Sequence, residues 1–196
     1  IDWLKNGKPT VIGAISGAVA GLVCVTPGAG FVSPLSAILI GVVAGSVCYA
    51  MVCEVKKRFG YDDTLDVFGI HGIGGILGAL MTGVLATNAV NPIFKDASGV
   101  AMPVGLIDGN AMQIANQLIG VGLTVAMASI GSIAILKLVD VFIGLRVSES
   151  EESAGLDVTQ HGETAYVFEA AETSTPPDMP ESPSPVLATA TLVEQP

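Results

Sequence analysis

Residues 9–53 carry no Asp, Glu, Lys or Arg. One crossing of a hydrocarbon core about 30 Å thick needs about 20 apolar residues, so this run is too long for one span and suits two. Thr26-Pro27-Gly28-Ala29-Gly30, with Pro34 shortly after, punctuates it. Pro removes a helix donor and Gly loosens the backbone. The pattern predicts spans over about 10–26 and 34–54. A mixed-charge cluster follows, from Glu54 to Asp63. Asp66 then precedes Val67–Phe94, again without Asp, Glu, Lys or Arg. A third helix is predicted over 64–87, ending near Asn88 and Asn91-Pro92. Residues 88–109 read as a loop, and a fourth helix is predicted over 110–145. At about 1.5 Å per residue its length is roughly 50 Å, so it must tilt or project from the bilayer. The expected fold is all-α and integral to a membrane, with four transmembrane helices.

Composition and charge agree. Only 13% of residues are charged, against about 25% in soluble domains. All eight Lys and Arg lie at or before Arg146, whereas residues 148–196 hold acids and no Lys or Arg. The net charge of −10 belongs to that tail, which disfavours nucleic acid and anionic lipid as partners. With four spans, Lys5, Lys8, Lys56, Lys57, Arg58 and Arg146 share the side of the termini, and Lys95 lies opposite. The positive-inside rule then places the termini and the 55–63 loop in the cytoplasm. Lys137 can snorkel to the same interface. Cys24, Cys48 and Cys53 have no metal-ligand spacing and read as small buried hydrophobes.

Glycines recur every four residues at Gly13, Gly17 and Gly21, at Gly41 and Gly45, and at Gly74 and Gly78. Such spacing lets helix backbones approach where lipid supplies no hydrophobic drive. Gly72-Ile73-Gly74-Gly75 is not a dinucleotide loop, because its third glycine is misplaced and no strand precedes it.

His71 is the residue that most invites a chemical role. In a helix starting at 64 it lies about seven residues in, roughly 10 Å along the axis. An imidazole there must bond to a neighbour or face water, because an unsatisfied polar group in hydrocarbon costs several kcal/mol. Ionisable groups inside spans are functional candidates; the alternative is a structural histidine bonded to a helix carbonyl. Asp63 or Thr64 can cap the helix. Asp66 supports the helix end or holds a loop.

The stretch Asp66-Val67-Phe68-Gly69-Ile70-His71-Gly72-Ile73-Gly74-Gly75 resembles the penultimate helix of ammonium transporters of the Amt/Mep/Rh family. Gly17-Ala18-Val19-Ala20-Gly21-Leu22-Val23-Cys24-Val25-Thr26-Pro27-Gly28-Ala29-Gly30 is similar to the same family. So is the tail pattern of Gly155, Leu156, Asp157, His161, Gly162, Glu163 and Tyr166. The resemblance covers about residues 1–170. It implies the last four of eleven helices around a narrow apolar pore, in a homotrimer of the cell membrane with a cytoplasmic C-terminus. His71 would be the second of two pore histidines, with its partner on a helix outside this chain; Phe68, one turn before it, either lines the pore or, the reading favoured, serves packing.

The activity so implied is transport, not enzymatic catalysis, with ammonium or ammonia as substrate and no metal or cofactor. The tail over 148–170 would couple neighbouring subunits, and a PII-type signalling protein would bind the same face. A membrane ammonium sensor on this scaffold, signalling through the tail, is the alternative. Residues 171–196, acidic and rich in Pro, Ser and Thr, are expected to be disordered. The topology has a direct test. A membrane-impermeant reagent should reach tags at 60 and 149 from the cytoplasm, and a tag at 97 from outside. The reverse pattern would overturn the assignment.

Overall fold

In the computed structural model, residues 1–164 are described. Tyr166 and the 171–196 segment lie outside the described residues. The chain divides into a unit of Ile1–Leu138 and a unit of Val139–Pro196.

The first unit is helical. A short helix α1 (Asp2–Asn6) leads into α2 (Val11–Val25), which ends in a 3-10 turn at Thr26–Gly28. Helix α3 runs over Pro34–Phe59 and α4 over Phe68–Leu85. The longest helix, α5, covers Met112–Phe142. The helices α2 to α5 are each long and apolar enough to cross a membrane. The described residues therefore hold four candidate membrane spans. The described residues include no strand, only an isolated bridge between Lys95 and Ala101.

Local chemistry sets the helix ends. Thr10 caps α2, its hydroxyl accepting from the Gly13 amide at 3.0 Å. Asp2 holds Thr10 in turn, accepting from its hydroxyl at 2.6 Å and from its amide at 3.1 Å. The Thr10 hydroxyl and the Asn6 amide keep the Asp2 carboxyl below the ordinary carboxylate range. Ser33 caps α3, with Pro34 in the first turn, where a missing N–H costs nothing.

Helix α3 does not stop near residue 54 but continues through a π turn at Met51–Val55 to Phe59. Lys56, Lys57 and Arg58 occupy its last turn, where cations favour the negative end of the helix dipole. Gly60, at φ 63°, closes it.

Helix α4 starts later than 64. Asp66 turns the chain aside at φ 56°. The Asp63 carboxylate accepts from the amides of Val67 at 2.8 Å and Phe68 at 2.9 Å. Asp63, not Thr64, is thus the residue whose side chain satisfies the free donors of this helix. At the other end Ala86 is extended, so Thr87 donates its amide to the Phe31 carbonyl at 2.9 Å.

The loop beyond closes on Asp108. Its carboxylate accepts from the Thr87 hydroxyl at 2.6 Å and from the amides of Asn88 at 2.7 Å and Val104 at 3.2 Å. The Thr87 hydroxyl, helped by the Asn88 amide, holds this carboxyl below its usual range. Helix α5 spans 31 residues, roughly 46 Å at about 1.5 Å per residue. Ile143 still bonds back to the Val139 carbonyl, and Gly144 at φ 87° ends the helical run.

Helices α2, α3 and α4 pack on one another. Ala20, Cys48 and Ile70 form one buried cluster; Cys24, Ile40 and Ala44 form another, flanked by Leu77, Met81 and Leu85. Not all the spaced glycines serve the packing. A Cβ on Gly74 would touch Cys48 Sγ and Val23 Cγ1, each at 3.4 Å, and one on Gly78 would overlap the Cys24 carbonyl. Gly17, Gly41 and Gly45 face open space instead. Cys53 is exposed, unlike Cys24 and Cys48; it lies in the π turn, outside both clusters.

The second unit contains α6 (Glu149–Ala154) and α7 (Leu156–His161). Ser148 and Glu151 form a reciprocal capping box at the start of α6.

Two substitutions probe these contacts. Gly78→Ala should lower the stability of the detergent-solubilised protein by about 1–3 kcal/mol, the usual cost of overpacking a tight core, read as a fall in Tm. Asp63→Ala should cost about 1 kcal/mol, as for a lost N-terminal cap, and hydrogen exchange at Val67 and Phe68 should accelerate.

Candidate functional site

The first turn of α4 is a π turn, Phe68–Gly72, with Gly69 and Ile70 buried. Single π turns inside helices often mark functional sites, because one extra residue per turn re-aims a side chain. Here that side chain is His71. It is exposed, while the next residues toward the helix C-terminus enter the core at Gly74 and Gly78. Counted from Phe68 rather than from 64, His71 lies about 6 Å closer to the helix start than the sequence suggests.

The turn is set against α3. A Cβ on Gly69 would lie 2.8 Å from Val52 Cγ2 and 3.6 Å from Met51 Cβ, so the π turn of α4 faces the π turn of α3 at that contact. The Ile70 carbonyl lies 3.9 Å from Cys48 Sγ, a weak hydrogen bond. Gly72 leaves room for Phe68, whose Cδ2 would sit 3.1 Å from a Cβ there. Phe68 is 52% exposed and meets Tyr61 edge-on, with ring centroids 5.9 Å apart. Phe68 and His71 therefore share one turn of one helix.

Asp66 is brought to the same corner and is held. Lys56 Nζ, in the last turn of α3, donates to Asp66 Oδ1 at 2.7 Å and to the Asp63 carbonyl at 2.5 Å. Both side chains of the Lys56–Asp66 pair are 28% exposed. Sequence reading missed Lys56, which looked like one of three interchangeable basic residues. Its only distinguishing signal is position: ten residues before Asp66, on the turn of α3 that faces the start of α4.

The tail residues lie in the second unit. Gly155 at φ 101° and Gly162 at φ 65° flank α7, conformations that favour glycine. A Cβ at Gly155 would also lie 2.6 Å from Asp157 Oδ1. Leu156 and Asp157 begin α7 and His161 ends it, while the Glu163 amide donates back to the Asp157 carbonyl at 2.9 Å. The glycines of this pattern are thus turn residues around a single short helix. Arg146 lies 3.9 Å from Glu152, a surface contact that contributes little by itself.

Comparison with known proteins places this arrangement. Residues 1–166 match the Ammonium Transporter Family. The ammonium transporter of Bacillus subtilis is 48% identical over 166 residues, which cover 85% of this chain and 39% of that protein. The ammonium transporter of Aquifex aeolicus is 48% identical over 165 residues, covering 84% and 36%. The crystal structure of Saccharomyces cerevisiae Mep2 superposes with a TM-score of 0.69 at 35% identity, covering 89% of this chain and 38% of that one. The chain thus spans less than two fifths of the length of these relatives. With four apolar helices long enough to cross a bilayer, it is a multi-pass membrane protein, and it belongs to the ammonium transporter family.

Proposed function

We propose that this chain supplies the last four of eleven helices of an ammonium transporter, and that His71 is one of its pore histidines. The observation that carries this reading is the presentation of His71. It leaves a π turn on an exposed face at the start of an apolar helix, and among the described residues its imidazole has no hydrogen-bond partner.

The physical logic is desolvation. Moving an isolated ammonium ion into an apolar medium costs tens of kcal/mol by Born solvation, so the ion gives up its proton near the entrance and ammonia crosses. A neutral imidazole has one donor and one acceptor nitrogen. It can hydrogen-bond ammonia and pass a proton from one nitrogen to the other. His71 fills that role with the other pore histidine of the complete protein, while Phe68, on the same turn, lines the path. Asp66 supports the start of the helix.

In the complete protein the subunits form a homotrimer in the cell membrane, with the C-terminus cytoplasmic. The segment holding Gly155, Leu156, Asp157, His161, Gly162, Glu163 and Tyr166 couples neighbouring subunits, and a PII-type signalling protein binds the same face.

The test is His71→Leu in the full-length protein, with methylammonium uptake and ammonium-evoked current measured per transporter in the membrane. The current should fall at least about tenfold, equivalent to about 1.4 kcal/mol on the barrier. An unchanged proton-coupled current in that variant would sink the relay.

A further inference from the structure

We propose that Lys56 is the positioning residue for His71: its ammonium locks the Asp63–Asp66 turn, and that turn decides where α4 begins and in which direction the imidazole points. The inference rests on the reading of His71 as a pore residue and adds a part that the α3 helix contributes to it.

Six hydrogen bonds converge on the turn. Lys56 Nζ donates to the Asp63 carbonyl at 2.5 Å and to Asp66 Oδ1 at 2.7 Å. The Asp66 amide donates to the same Asp63 carbonyl at 3.0 Å. The Asp63 carboxylate takes the first two amides of α4, from Val67 and Phe68. The Asp66 carbonyl takes the Ile70 amide at 2.9 Å, the helical bond immediately before His71. The backbone donors that launch α4 are therefore tied to two residues, and Lys56 holds both.

Asp66 has to be held. Its φ of 56° makes it the one non-glycine with positive φ among the described residues. Such a conformation persists only where surrounding contacts over-determine it. The Lys56 pair is also unlike an exposed ion pair, since each side chain is largely covered and the ammonium satisfies a carbonyl and a carboxylate together. Successive residues of a helix are about 100° apart around its axis. If α4 began one residue earlier or later, His71 would swing by about that angle, and Gly69 would leave its contact with Val52. The lysine thus acts on transport through the aim of another side chain, without touching substrate.

The experiment compares wild type, Lys56→Met, Lys56→Arg and Asp66→Asn in the full-length protein in lipid vesicles. Methionine keeps an unbranched stem of similar length and removes the charge; arginine keeps the charge; asparagine tolerates the left-handed backbone and removes the ionic partner. Two quantities are read. One is the rate at which diethylpyrocarbonate modifies His71 relative to His161 in the same molecules, followed by mass spectrometry. The other is the maximal rate and KM of methylammonium uptake per transporter.

Lys56→Met and Asp66→Asn should each change the His71 to His161 reactivity ratio at least about threefold and lower the maximal rate at least about tenfold with KM little changed, the split expected when orientation rather than binding is lost. Lys56→Arg should recover most of both. A wild-type reactivity ratio in both Lys56→Met and Asp66→Asn would overturn the positioning role, whatever happens to uptake. If the wild-type protein carries no methylammonium, the transport reading fails by itself, and the reactivity ratio still decides whether Lys56 aims His71. If Lys56→Met does not reach the membrane, Asp66→Asn gives the same reading.

Discussion

The close approach of Gly78 to the Cys24 carbonyl is the contact on which the rest of this helix packing depends. No side chain separates the two backbones there, because a Cβ on Gly78 would overlap the carbonyl. Lipid gives helices no hydrophobic reason to associate, so contact has to come from shape. With α4 drawn onto α2 at this point, Gly74 meets Val23 and Cys48, and Ile70 closes a cluster with Ala20 and Cys48. One turn further, Gly69 rests on Val52. The same seam that buries these residues leaves His71 exposed.

That seam fixes distance but not the start of the helix. The start comes from electrostatics at the α3–α4 corner, where Lys56 binds Asp66 and the Asp63 carbonyl and the Asp63 carboxylate caps the first amides. Two kinds of force therefore converge on one turn. Packing holds its inner side, at Gly69 and Ile70, and a partly covered ion pair holds its outer end. The π turn lies where the two meet. The opposite end of α4 follows the same pattern: Asp108 gathers Thr87, Asn88 and Val104 and ties the loop to the end of the helix.

Much of this was legible in the residues. The uncharged runs marked four spans because no charged group can be left in hydrocarbon cheaply. Pro34 marked a helix start because its backbone chemistry is local, whereas Gly60 and Gly144 were recognised as helix ends only in the structure. The glycine spacing was less informative: a Cβ on Gly74 or Gly78 would make close contacts, whereas one on Gly17, Gly41 or Gly45 would meet nothing within 4 Å. Periodicity names a face but does not say which helix lies against it. Cys53 was misread for a similar reason, since an apolar neighbourhood in sequence is not a buried one in space.

By itself the sequence determined the number of spans, their all-α character, the residue type at the candidate site and the polarity of its surroundings. These follow from transfer free energies and short-range backbone preferences, which are properties of residues and their near neighbours. Only the tertiary structure decided that α4 begins at Phe68, that its first turn is widened, and that Lys56 rather than Lys57 or Arg58 grips Asp66. Each of those depends on what stands across the gap between two helices, and no local preference distinguishes three adjacent cations until one of them faces a carboxylate.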